Sequence, residues 1–119
     1  MNEMKEVYRI AVQAAYAKKG YDIAVLDMRS TSLMADNFVI VSARNAKQAQ
    51  AIADNIDEFL KKDGHLVRHK EGYAGGSWIL LDAGETVVHI FTEAEREYYG
   101  LENVWADVER IPFDGEQYE

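Results

Sequence analysis

A chain of 119 residues with 48% hydrophobic content suits one domain built around one core. It has no cysteine, which excludes disulfides and cysteine-ligated zinc and gives no sign of an oxidising compartment. With 13 Lys and Arg against 21 Asp and Glu the formal charge is -8, a field that repels phosphate backbones, and no basic cluster with interleaved aromatics offsets it. Little direct nucleic-acid contact is therefore expected.

The first residues are acidic and lead into an amphipathic pattern rather than a long apolar run. Neither a secretory signal nor a membrane span is expected, and the cytoplasm is the default location. Met4, Val7, Tyr8, Ala11, Ala14 and Ala15 recur at helical spacing, and Lys18-Lys19-Gly20 supplies last-turn charge and a terminal glycine. Residues 22–28 read as a strand, 29–36 as a polar connection and 37–42 as a second, apolar strand. Asn45 and Gln48 form a capping box for a helix whose buried stripe is Ala49, Ile52, Ala53, Ile56, Phe59 and Leu60, ended by Gly64. A third strand over 66–70 precedes the glycines at 72, 75 and 76, which interrupt regular structure.

Residues 78–82 and 86–91 are runs of β-forming residues joined through Ala83-Gly84, a β-hairpin pattern. With those two residues as the loop, Trp78 faces His89. Alternation places Ile79, Leu81, Val88 and Ile90 on one face and Trp78, Leu80, Asp82, Val87, His89 and Phe91 on the other. The first face reads as core, whereas the second has the mixed aromatic and polar chemistry of a recognition surface. Thr92 with Glu95 resembles another capping box, opening a short helix through Tyr98-Tyr99 that Gly100 ends, and 101–105 form a last turn. The domain is expected over 1–108, with 109–119 as a loosely held tail. This order predicts an α/β fold: a mixed sheet of about five strands with helices packed on one face.

Catalytic templates fit poorly. The glycines precede a strand rather than a helix, without a P-loop ending or a Gly-x-Gly-x-x-Gly pattern, so an entry to the hairpin needing unusual backbone angles is the better reading. Gly76-Ser77 invites comparison with nucleotidyltransferases, yet the next strand offers only Asp82, and one carboxylate is weak support for a two-metal site. His65 and His69 sit on a solvated strand, and His89 has two readings, a hydrogen-bonded structural histidine and a recognition residue. No serine lies in a nucleophile elbow. Glu93 and Glu95 suit a helix N-terminus, and Tyr98, Tyr99 and Trp105 serve either as packing or as partner anchors. No metal or cofactor is called for.

Trp78-x-Leu80-Leu81-Asp82-x-Gly84-Glu85-x-Val87-Val88-His89-Ile90-Phe91, followed by Glu95-Arg96-Glu97-Tyr98-Tyr99-x-Leu101-Glu102-x-Val104-Trp105, closely resembles the signature of the ribosomal silencing factors, also called Iojap or RsfS proteins. Upstream, Asp22-Ile23-x-Val25-Leu26-Asp27, Asp36-x-Phe38-Val39-Ile40, Gln48-x-x-Ala51-Ile52-Ala53 and Glu71-Gly72 stand at the family's spacing, so the resemblance spans residues 4–108. At Ala43 and Asn45 the family often has Gly and Ser or Thr, and Asn45 keeps the capping chemistry. At Gly100 the family usually has a polar residue. The resemblance implies a nucleotidyltransferase-like fold without that chemistry. It also implies a non-enzymatic factor that binds the large ribosomal subunit through the ribosomal protein uL-fourteen, blocks subunit joining and represses translation. Homodimers occur in the family, although the residues carry no signal for one. The expected partner-binding set is Trp78, Leu80, Asp82, Glu85, His89, Phe91, Glu95 and Tyr98. The alternatives are a nucleotidyltransferase-like enzyme and an acidic adaptor for some other basic protein.

Overall fold

The computed structural model describes residues 6–30, 35–99 and 106–112. Helix α1, Val7–Ala17, buries Val7, Tyr8, Ile10, Ala11, Val12, Ala14 and Ala15. Its end is a compact turn in which the Gly20 N–H returns to the Ala15 carbonyl at 2.9 Å. The left-handed position of that turn falls on Lys19 (φ 67°), not on the glycine. Gly20 is needed for space instead, since a Cβ there would lie 2.8 Å from Val41 Cγ1.

Strands β1 (Tyr21–Asp27) and β2 (Asn37–Ala43) pair antiparallel, with a bulge between Tyr21 and Ala24. Helix α2, Ala46–Lys62, opens on the expected cap: Asn45 Oδ1 accepts from the Gln48 N–H at 2.9 Å. The Gln48 side chain reaches back one residue further than a capping box requires, accepting from the Arg44 N–H at 2.7 Å. Its amide also donates to the Lys18 and Lys19 carbonyls, at 3.2 and 3.0 Å, which ties the start of α2 to the end of α1.

Strands β3 (His69–Glu71), β4 (Trp78–Asp82) and β5 (Thr86–Thr92) complete a five-stranded sheet of order β1-β2-β5-β4-β3. Only β2 and β5 pair parallel. Helices α1 and α2 cover one face, where Val39, Val41, Ile79, Leu81, Val88 and Ile90 join their stripes in the main core. On the other face Ala24, Leu26, Met28, Ile40 and Phe91 form a smaller cluster with Phe38 and Val108. Helix α3, Glu93–Tyr99, follows β5 directly.

Three expectations are corrected. The hairpin loop is Gly84-Glu85 rather than Ala83-Gly84, closed by the Ala83 N–H donating to the Thr86 carbonyl at 2.9 Å. Primed hairpin turns need a positive φ at the first central residue, and Gly84 (φ 93°) meets that need without the steric cost Ala83 would carry. Pairing thereby shifts by two residues, so Trp78 lies opposite Phe91 and Leu80 opposite His89, and each side chain keeps its assigned face. The third strand is shorter and later than 66–70, and Leu66 is left exposed. Residues 109–111 are not loose: the Asp27 N–H donates to the Glu109 carbonyl and the Ile111 N–H to the Val25 carbonyl, both at 2.8 Å. They cover the outer edge of β1. Gly100, the turn over 101–105 with Trp105, and residues 113–119 lie outside the described residues.

The glycine segment before β4 has a packing role. A Cβ at Gly72 (φ 77°) would lie 2.0 Å from the Trp78 carbonyl oxygen, and one at Gly76 (φ 77°) would lie 2.5 Å from Ala46 Cβ. At Gly75 a Cβ would meet nothing within 4 Å. Gly72→Ala is therefore expected to lower stability by about 3 kcal/mol or more, and Gly75→Ala to stay within about 0.5 kcal/mol of the parent, in urea denaturation midpoints. Equal effects at the two positions would refute the close-approach account.

Candidate functional site

The face of the sheet opposite the two long helices is built by strand alternation. It takes Phe38, Ile40 and Ser42 from β2, Val87, His89 and Phe91 from β5, Trp78, Leu80 and Asp82 from β4, and His69 and Glu71 from β3. The face is divided across its width. Its β1–β2–β5 side is closed by the smaller apolar cluster, and its β4–β3 side opens to solvent.

Trp78 is the large hydrophobic group on the open side, 37% exposed, with Leu80 half-buried beside it. His89 and Phe91, expected beside it as exposed anchors, are buried, at 6% and 0% exposure. The reason is position: β5 is the middle strand of five, and both residues are enclosed by neighbours on both sides. They instead form the bed on which Trp78 rests. The indole packs on Phe91 with ring centroids 4.9 Å apart, and its Nε1–H donates to His89 Nδ1 at 3.2 Å. Phe38 lies 4.7 Å from the imidazole, and Phe91 stacks on it at 6.0 Å and 6°. Tucked among aromatic rings, His89 has its pKa pushed down by burial from the ordinary 6.5 to about 4, so it is neutral at pH 7.

Asp82 and Glu85 sit at the far end of the strip. Asp82 lies four steps along the strand from Trp78, roughly 13 Å. Asp82 accepts from the Gly84 N–H at 2.9 Å, which caps the turn, and lies 3.4 Å from the Arg68 guanidinium. That carboxylate therefore shapes the hairpin as well as presenting charge. Glu85 is exposed at the tip. Glu71, part of the Glu71-Gly72 motif, joins them through the β3 register opposite Leu80, and with Gly72 it lines a shallow depression beside Trp78 and Leu80.

Helix α3 leaves β5 at the Trp78 end of the strip. The Glu95 N–H approaches Thr92 Oγ1 at 3.4 Å, a long version of the expected cap, and Tyr98 is 80% exposed. Arg96, which has Glu93, Glu95 and Glu97 as neighbours on α3, is a tether: its Nη1 donates to the Asp22 carbonyl at 2.8 Å and to Ser42 Oγ at 2.7 Å. Ser42 stands on β2 opposite Phe91, and the parallel β2–β5 pairing brings it within reach of α3.

Asp27 chelates Arg29, whose guanidinium and backbone N–H hold its carboxyl down at about 2. Among the described residues no three His, Asp or Glu side chains are grouped to hold a metal ion.

The family model described as "Ribosomal silencing factor during starvation" matches residues 1–119. The chain belongs to the ribosomal silencing factor family. It is 40% identical to the ribosomal silencing factor of Bacillus subtilis, over 96% of each chain. It is 37% identical to that of Halalkalibacterium halodurans, over 93% of this chain and 95% of the relative. A crystal structure of a protein from Chromobacterium violaceum superposes with a TM-score of 0.82 at 31% identity, covering 88% of each chain. A ribosomal silencing factor is a translational regulator that associates with the ribosome, and the mixed five-stranded sheet described above is the fold of this family.

The burial of His89 sets a pH dependence. Between pH 6.5 and 4 the unfolded silencing factor takes up a proton at this residue and the folded one does not. Its stabilising contribution is therefore complete above pH 6.5 and is lost as the pH falls toward 4. Between pH 7 and 5 the parent is expected to lose about 2 kcal/mol more stability than His89→Asn, measured by urea titration at each pH. Parallel losses in the two proteins would show that the imidazole is not held neutral.

Proposed function

We propose that the open strip of the sheet is the face by which this silencing factor docks on the large ribosomal subunit, through the ribosomal protein uL-fourteen. Bound there, the domain occupies space that the small subunit needs, so subunits fail to join and translation is repressed without any chemical step. The observation that carries this is the exposed Trp78 on a buried aromatic bed. Tryptophan in a rigid setting is the kind of residue that dominates binding energy.

Trp78 and Leu80 supply apolar contact at one end, and Asp82 and Glu85, with Glu71 beside them, supply acid for Lys or Arg on the partner. The net charge of -8 adds long-range attraction to a basic surface and repels bare RNA, which favours a protein contact on the ribosome. His89 and Phe91 act from behind as supports. Glu95 and the exposed Tyr98 are included in the proposed contact because α3 follows β5 at the Trp78 end of the strip. The work of such a factor lies in the cytoplasm, where ribosomal subunits meet. Among the described residues no helix is long and apolar enough to cross a membrane.

The domain is expected to co-sediment with isolated large subunits and not with small ones, and to reduce their joining in sucrose gradients. Trp78→Ala should weaken large-subunit binding roughly thirtyfold or more while the domain stays folded. Equal association with both subunits, or unaltered binding by a folded Trp78→Ala protein, would overturn the docking face.

A further inference from the structure

A directional bond orients Trp78, and that bond depends on the protonation of a single buried ring. The indole Nε1–H donates to His89 Nδ1 at 3.2 Å. Indole nitrogen is a donor only, so the imidazole must present Nδ1 bare, with its proton on Nε2. The rings of Phe38 and Phe91 fix the imidazole plane from β2 and β5. Ring contacts between Trp78 and Phe91 are non-directional and permit the indole to slide or turn, whereas the hydrogen bond selects one orientation.

On the docking reading given above, we infer that His89 is the positioning residue of the interface: its neutral ring orients the exposed Trp78 for the partner, and a proton taken from solvent at Nδ1 releases it. Protonation turns the acceptor into a second donor facing the indole N–H, so the two groups repel and the indole loses its fixed orientation. No other bond is made or broken.

The surroundings oppose that proton at neutral pH. On β2 the neighbours on this face are Phe38, Ile40 and Ser42, none of them charged. On β4 they are Trp78, Leu80 and Asp82, and the Asp82 carboxylate is turned to Gly84 and Arg68. One strand further, His69 and Glu71 pair with each other. On α3, Arg96 is bound to Ser42 and Asp22, and the acidic residues of that helix are Glu93, Glu95 and Glu97. Burial alone accounts for the lowered basicity of the ring, so release belongs to acid conditions and the docking form to neutral ones.

The test uses the full chain and reads the Trp78 indole N–H by NMR, its resonance assigned by its loss in Trp78→Phe. In His89→Phe, which keeps a ring but removes the acceptor, indole hydrogen exchange should be about tenfold faster than in the parent, and large-subunit affinity about tenfold weaker. His89→Asn, whose amide oxygen can occupy the place of Nδ1, should restore both and remove the acid sensitivity of the indole. In the parent, the indole resonance should titrate with the same midpoint as the His89 ring carbons, a readout that holds even where a variant fails to fold. Separate midpoints, unchanged exchange in a folded His89→Phe protein, or altered exchange with unaltered affinity would each overturn the positioning role. Absence of large-subunit binding by the parent, with the indole results as expected, would instead remove the docking reading and leave the His89–Trp78 coupling standing.

Discussion

The parallel pairing of β2 with β5 is the constraint on which the rest of the structure depends. It joins two antiparallel units, β1–β2 and β3–β4–β5, that are far apart in sequence and would otherwise be separate ribbons. Parallel strands cannot be set in register by a short turn, so the register must come from side chains and from the crossover. Here a buried hydrogen bond from Thr86 Oγ1 to Asn37 Oδ1 locks the first residue of each strand to the other. The Glu85 carbonyl adds a clamp by accepting from the Asp36 and Asn37 N–H groups, at 2.7 and 3.1 Å. A slip of one residue at this junction would turn Val88 and Ile90 away from the helices and bring His89 into the aliphatic core.

That register also produces the layering of the docking face. Because β5 is central, its outward His89 and Phe91 are buried, and the recognition chemistry passes to β4 and β3. Phe38, His89 and Phe91 become a firm support and Trp78 the exposed layer above it. A tryptophan mounted in this way loses little conformational freedom on binding, which is one of the larger costs of forming an interface. The same arrangement lowers the cost of placing a polar imidazole in a buried aromatic cluster: it is neutral, and the indole satisfies one of its two ring nitrogens, Nδ1.

Charge and shape have separate roles on this domain. The surplus of acid acts at long range, favouring basic proteins over nucleic acid, while the aromatic strip acts only on contact. Asp82 belongs to both, since its carboxylate caps the hairpin turn and contributes to the acidic end of the strip. Arg96 has the opposite part: a cation among acidic neighbours that binds α3 to the β1–β2 unit through Ser42 and the Asp22 carbonyl.

The amino-acid sequence by itself determined the element order, the α/β class, the Asn45 cap, the aliphatic core and the family, because these rest on local periodicity and on motifs read along the chain. It also determined which side chains share a face of the hairpin, since alternation survives any shift by two residues. Tertiary structure alone decided what is exposed on that face. Burial of His89 and Phe91 depends on β5 being flanked by β2 and β4, a non-local fact that leaves no trace in the spacing of residues along one strand. The loop residue, the attachment of 109–111 to β1 and the Arg96–Ser42 bond were decided in the same way, each by a partner distant in sequence or by a backbone angle that only a glycine accepts without strain.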